Sequence, residues 1–339
     1  PKSYIKHGAA TVLALTLTAG MGSATVNGEP FALPDFGSSA DTLMSIGEER
    51  QLGRAFMRSV REALPVVEDP LLTDYIESLG HRLVAASGTG AGRYSFFLID
   101  EPVINAFAGP DGYVGVYSGL VLTSESESEL AAVMAHEIAH VTQRHLMRAF
   151  EEQQQLSIPA TALLIAAAIL GAQVDANVGA AAVAGVQAAA AQRQINFTRE
   201  NEKEADRVGI ATLAAAGFDT YAMPGFFERM SKASRLYETD APEFLRTHPV
   251  TTNRIADALG RAESYGAKQR ADDLRFHLTR AHLRERSYKD PAKAVNHFRA
   301  TLNEKRYRNE IAERYGYASA LARANQTAAA SEQVERLLS

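Results

Sequence analysis

The 339-residue sequence contains no cysteine. That absence excludes a disulfide framework, a thiolate nucleophile, a cysteine-ligated zinc site and a lipid-modified cysteine near the N-terminus. Any metal must therefore rest on histidine and carboxylate. The sequence also lacks an uninterrupted apolar run of the ~20 residues that a membrane-spanning helix requires. The two candidates, Ala9 to Gly20 and Ile158 to Gly171, both fall short. Positive charge is not in surplus: the net charge is −5, which leaves no electrostatic footprint for nucleic acid as a partner. What remains, 46% hydrophobic and 22% charged residues, suits a soluble globular protein with one ordinary domain and a smaller appendage.

Lys2, Lys6 and His7 precede the Ala9 to Gly20 run, and small residues follow at Gly22, Ser23 and Ala24. This is the layout of a secretory signal peptide over residues 1–24, with a short membrane anchor as the competing reading. Residues 25–40 mix Gly, Pro, Ser and Asn without periodicity and read as a leader. A first folded domain is expected over 41–265, and a charged, Arg-rich helical region over 266–339.

Leu52, Phe56, Val60 and Leu64 recur at four-residue spacing between Ser45 and Leu64. Leu72, Ile76, Leu79 and Leu83 repeat a similar pattern between Leu71 and Ala86, and both segments predict amphipathic helices. Tyr94 to Ile99 and Gly112 to Leu122 are rich in β-branched and aromatic residues. They predict strands flanking a turn at Gly109-Pro110-Asp111-Gly112, hence a small antiparallel sheet. The Ser/Glu alternation from Ser124 to Glu129 suits the start of a helix predicted to reach Phe150. Helices are also expected over Glu200 to Ile210 and Pro249 to Ala262, so the fold class is mainly α (α+β). Residues 158–191 are Ala-rich and nearly uncharged, and two readings stand: buried or pocket-covering helices, or a hairpin making peripheral membrane contact. In the last region Ala281, Val295 and Phe298 each lie 39 residues before Ala320, Val334 and Leu337. That offset predicts two helix-turn-helix repeats of the tetratricopeptide kind, the second incomplete, with plain helical hairpins as the alternative.

Chemistry concentrates in His136-Glu137-Ile138-Ala139-His140. Positions four apart on a helix differ by only about 40° around the axis, so both imidazoles project from one face and can share a metal. Glu137, turned about 100° from His136, can address a water on that metal without entering its coordination sphere. Two imidazoles leave room for one more protein ligand and an open position, the arrangement of a catalytic zinc. Leu130, Val133, Met134, Ile138 and Val141 form an apolar arc with the two histidines at its border. His145, five residues on, falls about 140° away on a continuous helix and reads as a packing or surface histidine.

A third ligand is sought in Glu200-Asn201-Glu202-Lys203-Glu204-Ala205-Asp206. Glu202 and Asp206 share a helical face, so Glu202 can bind metal while Asp206 accepts a hydrogen bond from the other nitrogen of a zinc histidine. Spacing alone does not choose among the three glutamates. His248, in Thr247-His248-Pro249, has two readings: a residue packing the loop before a helix, or a further ligand.

These segments, with Asn105-Ala106-Phe107 and Arg254-Ile255, resemble the BepA-like periplasmic zinc metalloproteases, a family that also includes LoiP, the membrane-bound HtpX and the CAAX prenyl proteases. The resemblance covers Ser45 to Tyr265 and departs from the pattern at Asp111, where many members carry Gly. It implies a zincin-type protease domain over 41–265 with one zinc per chain. It selects Glu202 as third ligand beside His136 and His140, and it supports His248 as an inhibitory fourth ligand. Asp206 and Glu137 keep the roles given above.

The expected activity is endopeptidase cleavage of misfolded or stalled polypeptides through a zinc-activated water, with Glu137 as general base. The strand over Gly112 to Val121 is expected to offer an edge to which an extended substrate adds. The resemblance places this activity in the periplasm, in outer-membrane protein quality control, with outer-membrane proteins and their assembly machinery as partners and association with the outer membrane. The competing function is a chaperone or assembly factor that binds clients through its repeats, with proteolysis secondary.

Overall fold

A computed structural model describes residues 44–88, 92–150, 158, 161–162, 165–166, 199–236, 242–268 and 270–339. The expected signal peptide and leader lie outside these residues, as does most of 158–191. Helix α1 (Ile46–Ala63) opens on a capping box in which Ser45 accepts from the Glu48 amide and the Glu48 carboxylate accepts from the Ser45 amide. Its apolar face buries Leu52, Phe56 and Val60. Helix α2 (Pro70–Ala86) is capped by Asp69, with Pro70 at the first turn where no amide is needed, and buries Leu72, Ile76, Leu79 and Leu83.

Three strands follow, β1 (Ser95–Ile99), β2 (Ala106–Ala108) and β3 (Tyr113–Tyr117), in the order β1-β3-β2. β2 runs antiparallel to β3, with Ala106 opposite Val116, whereas β1 runs parallel to it, with Ser95 opposite Tyr113. The sheet is therefore mixed rather than purely antiparallel. The turn at 109–112 does make a hairpin, but the strand entering it is the short β2, which has no β-branched residue to mark it. At the turn Gly112 has φ 70°, and a Cβ there would sit 1.9 Å from the Arg93 carbonyl oxygen, so glycine is required. Asp111 takes φ 56°, a left-handed conformation that aspartate tolerates, which accommodates the departure from glycine at this position.

β3 stops at Tyr117, short of the expected Leu122, because the chain turns into helix α3 (Ser118–Thr123). The Ser118 hydroxyl and the Gly119 amide both donate to the Glu101 carbonyl, at 2.8 and 3.0 Å, which draws the chain off the ladder. β3 is also the central strand, so the expected substrate edge is not there: among the described residues the edges belong to β1 and β2.

Helix α4 (Glu127–Thr142) is buried at every residue from Glu127 to His140. The predicted run to Phe150 is interrupted: α4 ends at Thr142, Arg144 adopts φ 52°, and a separate helix α5 (His145–Phe150) begins. A residue in the left-handed region ends a helix by redirecting the chain. Then come α6 (Arg199–Ala216), α7 (Ala222–Leu236), α8 (Glu243–Thr247) and α9 (Thr252–Tyr265). The last starts later than Pro249 because Thr251 is the cap, its hydroxyl accepting from the Arg254 amide.

Alternation along β1 divides the interior. Phe96 and Leu98 join α2, α4, α6 and α7 in one core, while Phe97 and Ile99 face α1 with Phe107 and Tyr117 in another. Ala162, Ile165 and Ala166, from the Ala-rich segment, are buried in that second cluster. Helix α10 (Leu274–Ser287) sends Phe276 and Leu283 into the first core. Its Ala281 packs with α11 (Pro291–Asn303), α12 (Glu310–Arg323) and α13 (Thr327–Leu338) around Val295, Phe298 and Leu321. No helix among the described residues is long and apolar enough to cross a membrane.

Candidate metal centre

Helices α4 and α6 meet face to face, and Gly209 sets how closely. A Cβ at that position would lie 3.2 Å from the His136 amide nitrogen and 3.3 Å from its Cα. Glu202, Asp206 and Gly209 share one face of α6, so the close approach presses both carboxylates against the histidines of α4. All the expected site residues come together here: His136, Glu137, His140, Glu202, Asp206 and His248 are each at most 2% exposed.

The Nε2 atoms of His136 and His140 are 3.0 Å apart, and they lie 3.6 and 3.4 Å from the two Glu202 oxygens. His248, at the end of α8, brings Nδ1 to 3.0 Å from Glu202 Oε1 and 3.4 Å from His136 Nε2. Its ring rests on Phe244 with centroids 5.1 Å apart. One ligand atom from each of these four residues falls within 4.8 Å of the others. Ligands at ~2.0–2.1 Å in a zinc tetrahedron are separated by roughly 3.3 Å, and these spacings fit it. Glu137 stands beside the cluster, buried, with Oε1 3.4 Å from His248 Nε2. Three imidazole nitrogens and a carboxylate oxygen, all buried and converging at these spacings, are the donor types zinc takes, so the residues present fit a zinc ion.

Burial and the neighbouring charges shift Glu202, His140, His136 and Glu137. Burial would raise Glu202, but His248, His136 and His140 around it hold the carboxyl well below the usual range. Burial pushes His140 well down, and His136 and His248 add to this. Burial also resists protonation of His136, yet Asp206 and Glu202 override it and push the ring up to about 10. Glu137 is raised by burial, with His248 and His136 pulling the other way.

Asp206 Oδ1 lies 2.9 Å from His136 Nδ1, as the spacing on α6 predicts. Two supports were not foreseen. Arg254 of α9 grips Asp206 with two hydrogen bonds of 2.8 Å, lies 2.7 Å from Glu202 Oε2, and donates to the Pro249 carbonyl at 2.8 Å. It thereby ties the His248 loop to the carboxylates of α6. His145 does not lie on the far side of a continuous helix, because the break at Arg144 swings it back over His140. It is fully buried, its Nδ1 2.7 Å from His140 Nδ1 and its Nε2 3.1 Å from Glu204 Oε2. Arg254 was visible only as part of a motif, and the fold-back of His145 depends on a positive φ at an arginine that nothing nearby announces.

The sequence matches peptidase family M48 over residues 70–262, more than half of the chain. It is 45% identical over 249 residues to the beta-barrel assembly-enhancing protease of Escherichia coli, covering 74% of this chain and 51% of that protein. Its identity to the protein of the same name from Yersinia pestis is 38% over 306 residues, covering 90% of this chain and 63% of the relative. The mitochondrial metalloendopeptidase OMA1 of Schizosaccharomyces pombe is 31% identical over 187 residues, 54% of this chain and 51% of its own. The chain thus spans about half the length of the curated relatives it matches. Since the matched region contains α4, α6 and the His248 loop in the arrangement described, the chain belongs to peptidase family M48.

Proposed function

We propose that this chain is a zinc endopeptidase of the bacterial envelope, exported to the periplasm, which cleaves misfolded or stalled polypeptides during outer-membrane protein assembly. The observation that carries the reading is the convergence of His136, His140 and Glu202 on one point, with the buried Glu137 carboxylate beside it. The names of the relatives, which tie proteolysis to β-barrel assembly, support the substrate class.

In this reading His136, His140 and Glu202 hold the metal. When bound, zinc supplies a Lewis acid that polarises a carbonyl and acidifies water. Glu137 accepts a proton from the attacking water and delivers it to the leaving amine. Asp206 takes the proton-bearing Nδ1 of His136 and so keeps Nε2 turned to the metal. His248, held by Arg254 through the Pro249 carbonyl, would take the position otherwise open to water, a self-inhibited arrangement relieved when its loop moves. An extended substrate adds to the edge of β2 rather than to β3. Helices α10 to α13 act as tetratricopeptide-like repeats that hold clients near the protease domain of residues 41–265.

The test is cleavage of an unfolded protein such as casein by the zinc-loaded chain, with and without a chelator. Chelator-sensitive cleavage is expected. A zinc-loaded, folded chain that protects unfolded clients from aggregation but never cuts them would favour the chaperone reading instead.

A further inference from the structure

Away from the metal centre, α10, α11, the loop leading into α12 and the start of α12 line an open pocket of about 220 Å³ beside Leu122. Arg280 and Arg284 of α10 and Arg306 and Arg308 of the loop line it, and Glu313 is the acidic residue in its wall. In a protein of net charge −5 this is a local concentration of positive charge.

The surrounding structure neutralises part of it, through Glu313 in the wall and through Asp272 and Glu129 acting on Arg280. Arg306 pairs with Glu304 at 2.5 Å. Arg280 donates to the Leu122 carbonyl at 3.1 Å and Arg308 to the Glu125 carbonyl, so both spend hydrogen bonds on neutral groups. Glu313 accepts from the Thr301 hydroxyl, and burial raises its carboxyl while Arg284 and Arg280 lower it. Among the described residues nothing pairs with the Arg284 guanidinium. Burial, with Arg308 and Arg284 repelling, pushes Arg280 down to about 10. Arg280, Arg284 and Arg308 thus line one space, the repulsion of Arg280 by the other two is partly offset by Asp272 and Glu129, and an entering anion relieves the remainder.

The rest of the wall narrows the anion's identity. Half-buried Leu122 offers an apolar surface beside the arginines, and the buried Ala281, Phe298 and Ala312 back the wall. The space is smaller than the roughly 300–1,000 Å³ of sites for drug-sized ligands, so it admits a small group that is apolar on one side and charged on the other. The planar fork of a guanidinium matches a carboxylate through two parallel hydrogen bonds. A chain terminus presents both features, an α-carboxylate next to an apolar side chain.

We propose that this cavity binds the C-terminal carboxylate of a polypeptide, with the terminal aliphatic or aromatic side chain against the apolar wall at Leu122. The choice of a polypeptide as bearer of the carboxylate rests on the peptidase reading. The cavity then acts as a second anchor that fixes one end of a client apart from the scissile bond.

The test is fluorescence anisotropy on the zinc-loaded full chain carrying Glu137→Gln, so that a bound peptide survives. The probe is a short labelled peptide without charged side chains that ends in phenylalanine, prepared as the free acid and as the C-terminal amide. The free acid is expected to bind about 10-fold more tightly than the amide, the worth of one charge-assisted pair. Arg284→Ala is expected to abolish that preference while leaving the melting curve unchanged, since Arg284 gives up no partner. Equal binding of acid and amide overturns the proposal, as does a preference that survives in both Arg284→Ala and Arg280→Ala. Inorganic phosphate competing at lower concentration than the unlabelled free acid overturns the choice of carboxylate. Casein cleavage by the unsubstituted chain, followed in parallel, separates the two claims: no cleavage with the acid preference intact defeats the peptidase reading and leaves the cavity standing.

Discussion

His145 Nδ1 lies 2.7 Å from His140 Nδ1, and that contact has room for one proton. Because His140 Nε2 points into the donor cluster, the proton belongs on its Nδ1, where it is donated to His145. His145 in turn carries a proton on Nε2, which faces Glu204 at 3.1 Å. Burial pushes His145 down to about 4, against the pull of Glu204, so the ring is neutral at neutral pH, as this arrangement requires. His140 is thus held by a neighbour on its own chain segment, while His136 is held by Asp206 from α6.

Replacing His145 by phenylalanine is expected to weaken zinc binding by about 10–100-fold, since His140 loses the partner that fixes its tautomer. Chelator competition measures it. An affinity equal to the parent's in a folded variant would show that the contact is idle.

Arg254 is expected to matter for stability before it matters for catalysis. It is buried and bound to Asp206, so Arg254→Met leaves a buried carboxylate without its cation, a loss of about 3–5 kcal/mol in denaturant unfolding of the zinc-free protein. Unfolding unchanged from the parent would remove it from the framework of the site.

Among the three glutamates near the start of α6, Glu202→Ala is expected to lose zinc and Glu200→Ala to retain it. Glu204→Ala should show a smaller loss, transmitted through His145. Metal content of the three purified variants decides the ligand, and equal occupancy in all three would contradict the assignment of Glu202.

How much of this was legible in the sequence follows from the range of the interactions. The i, i+4 spacings of His136 with His140 and of Glu202 with Asp206 fix which face each residue occupies, so the cluster was readable without knowing how α4 and α6 meet. The amphipathic patterns of α1 and α2 were equally local. The parallel pairing of β1 with β3 was not, because pairing across a crossover leaves no periodic mark and β2 is only Ala-Phe-Ala. The fold-back of His145 turned on one backbone angle at Arg144. Arg254 acts over a sequence separation of 48 residues from Asp206, beyond any helical spacing.

His248→Ala is expected to keep zinc on three ligands and to cleave faster than the parent at equal zinc occupancy, because the position it fills becomes open to water and substrate. A slower rate in a folded, zinc-loaded variant would assign His248 to stabilising the reaction rather than restraining it.

The most direct measurement of the central claim pairs metal analysis with casein cleavage for the parent and Glu137→Gln. The amide of glutamine cannot take the proton, yet the three ligands are untouched. One zinc per chain is therefore expected in both proteins, with cleavage reduced by about 10²-fold or more in the variant. Zinc absent from the parent, or cleavage by Glu137→Gln at the parental rate, would contradict it.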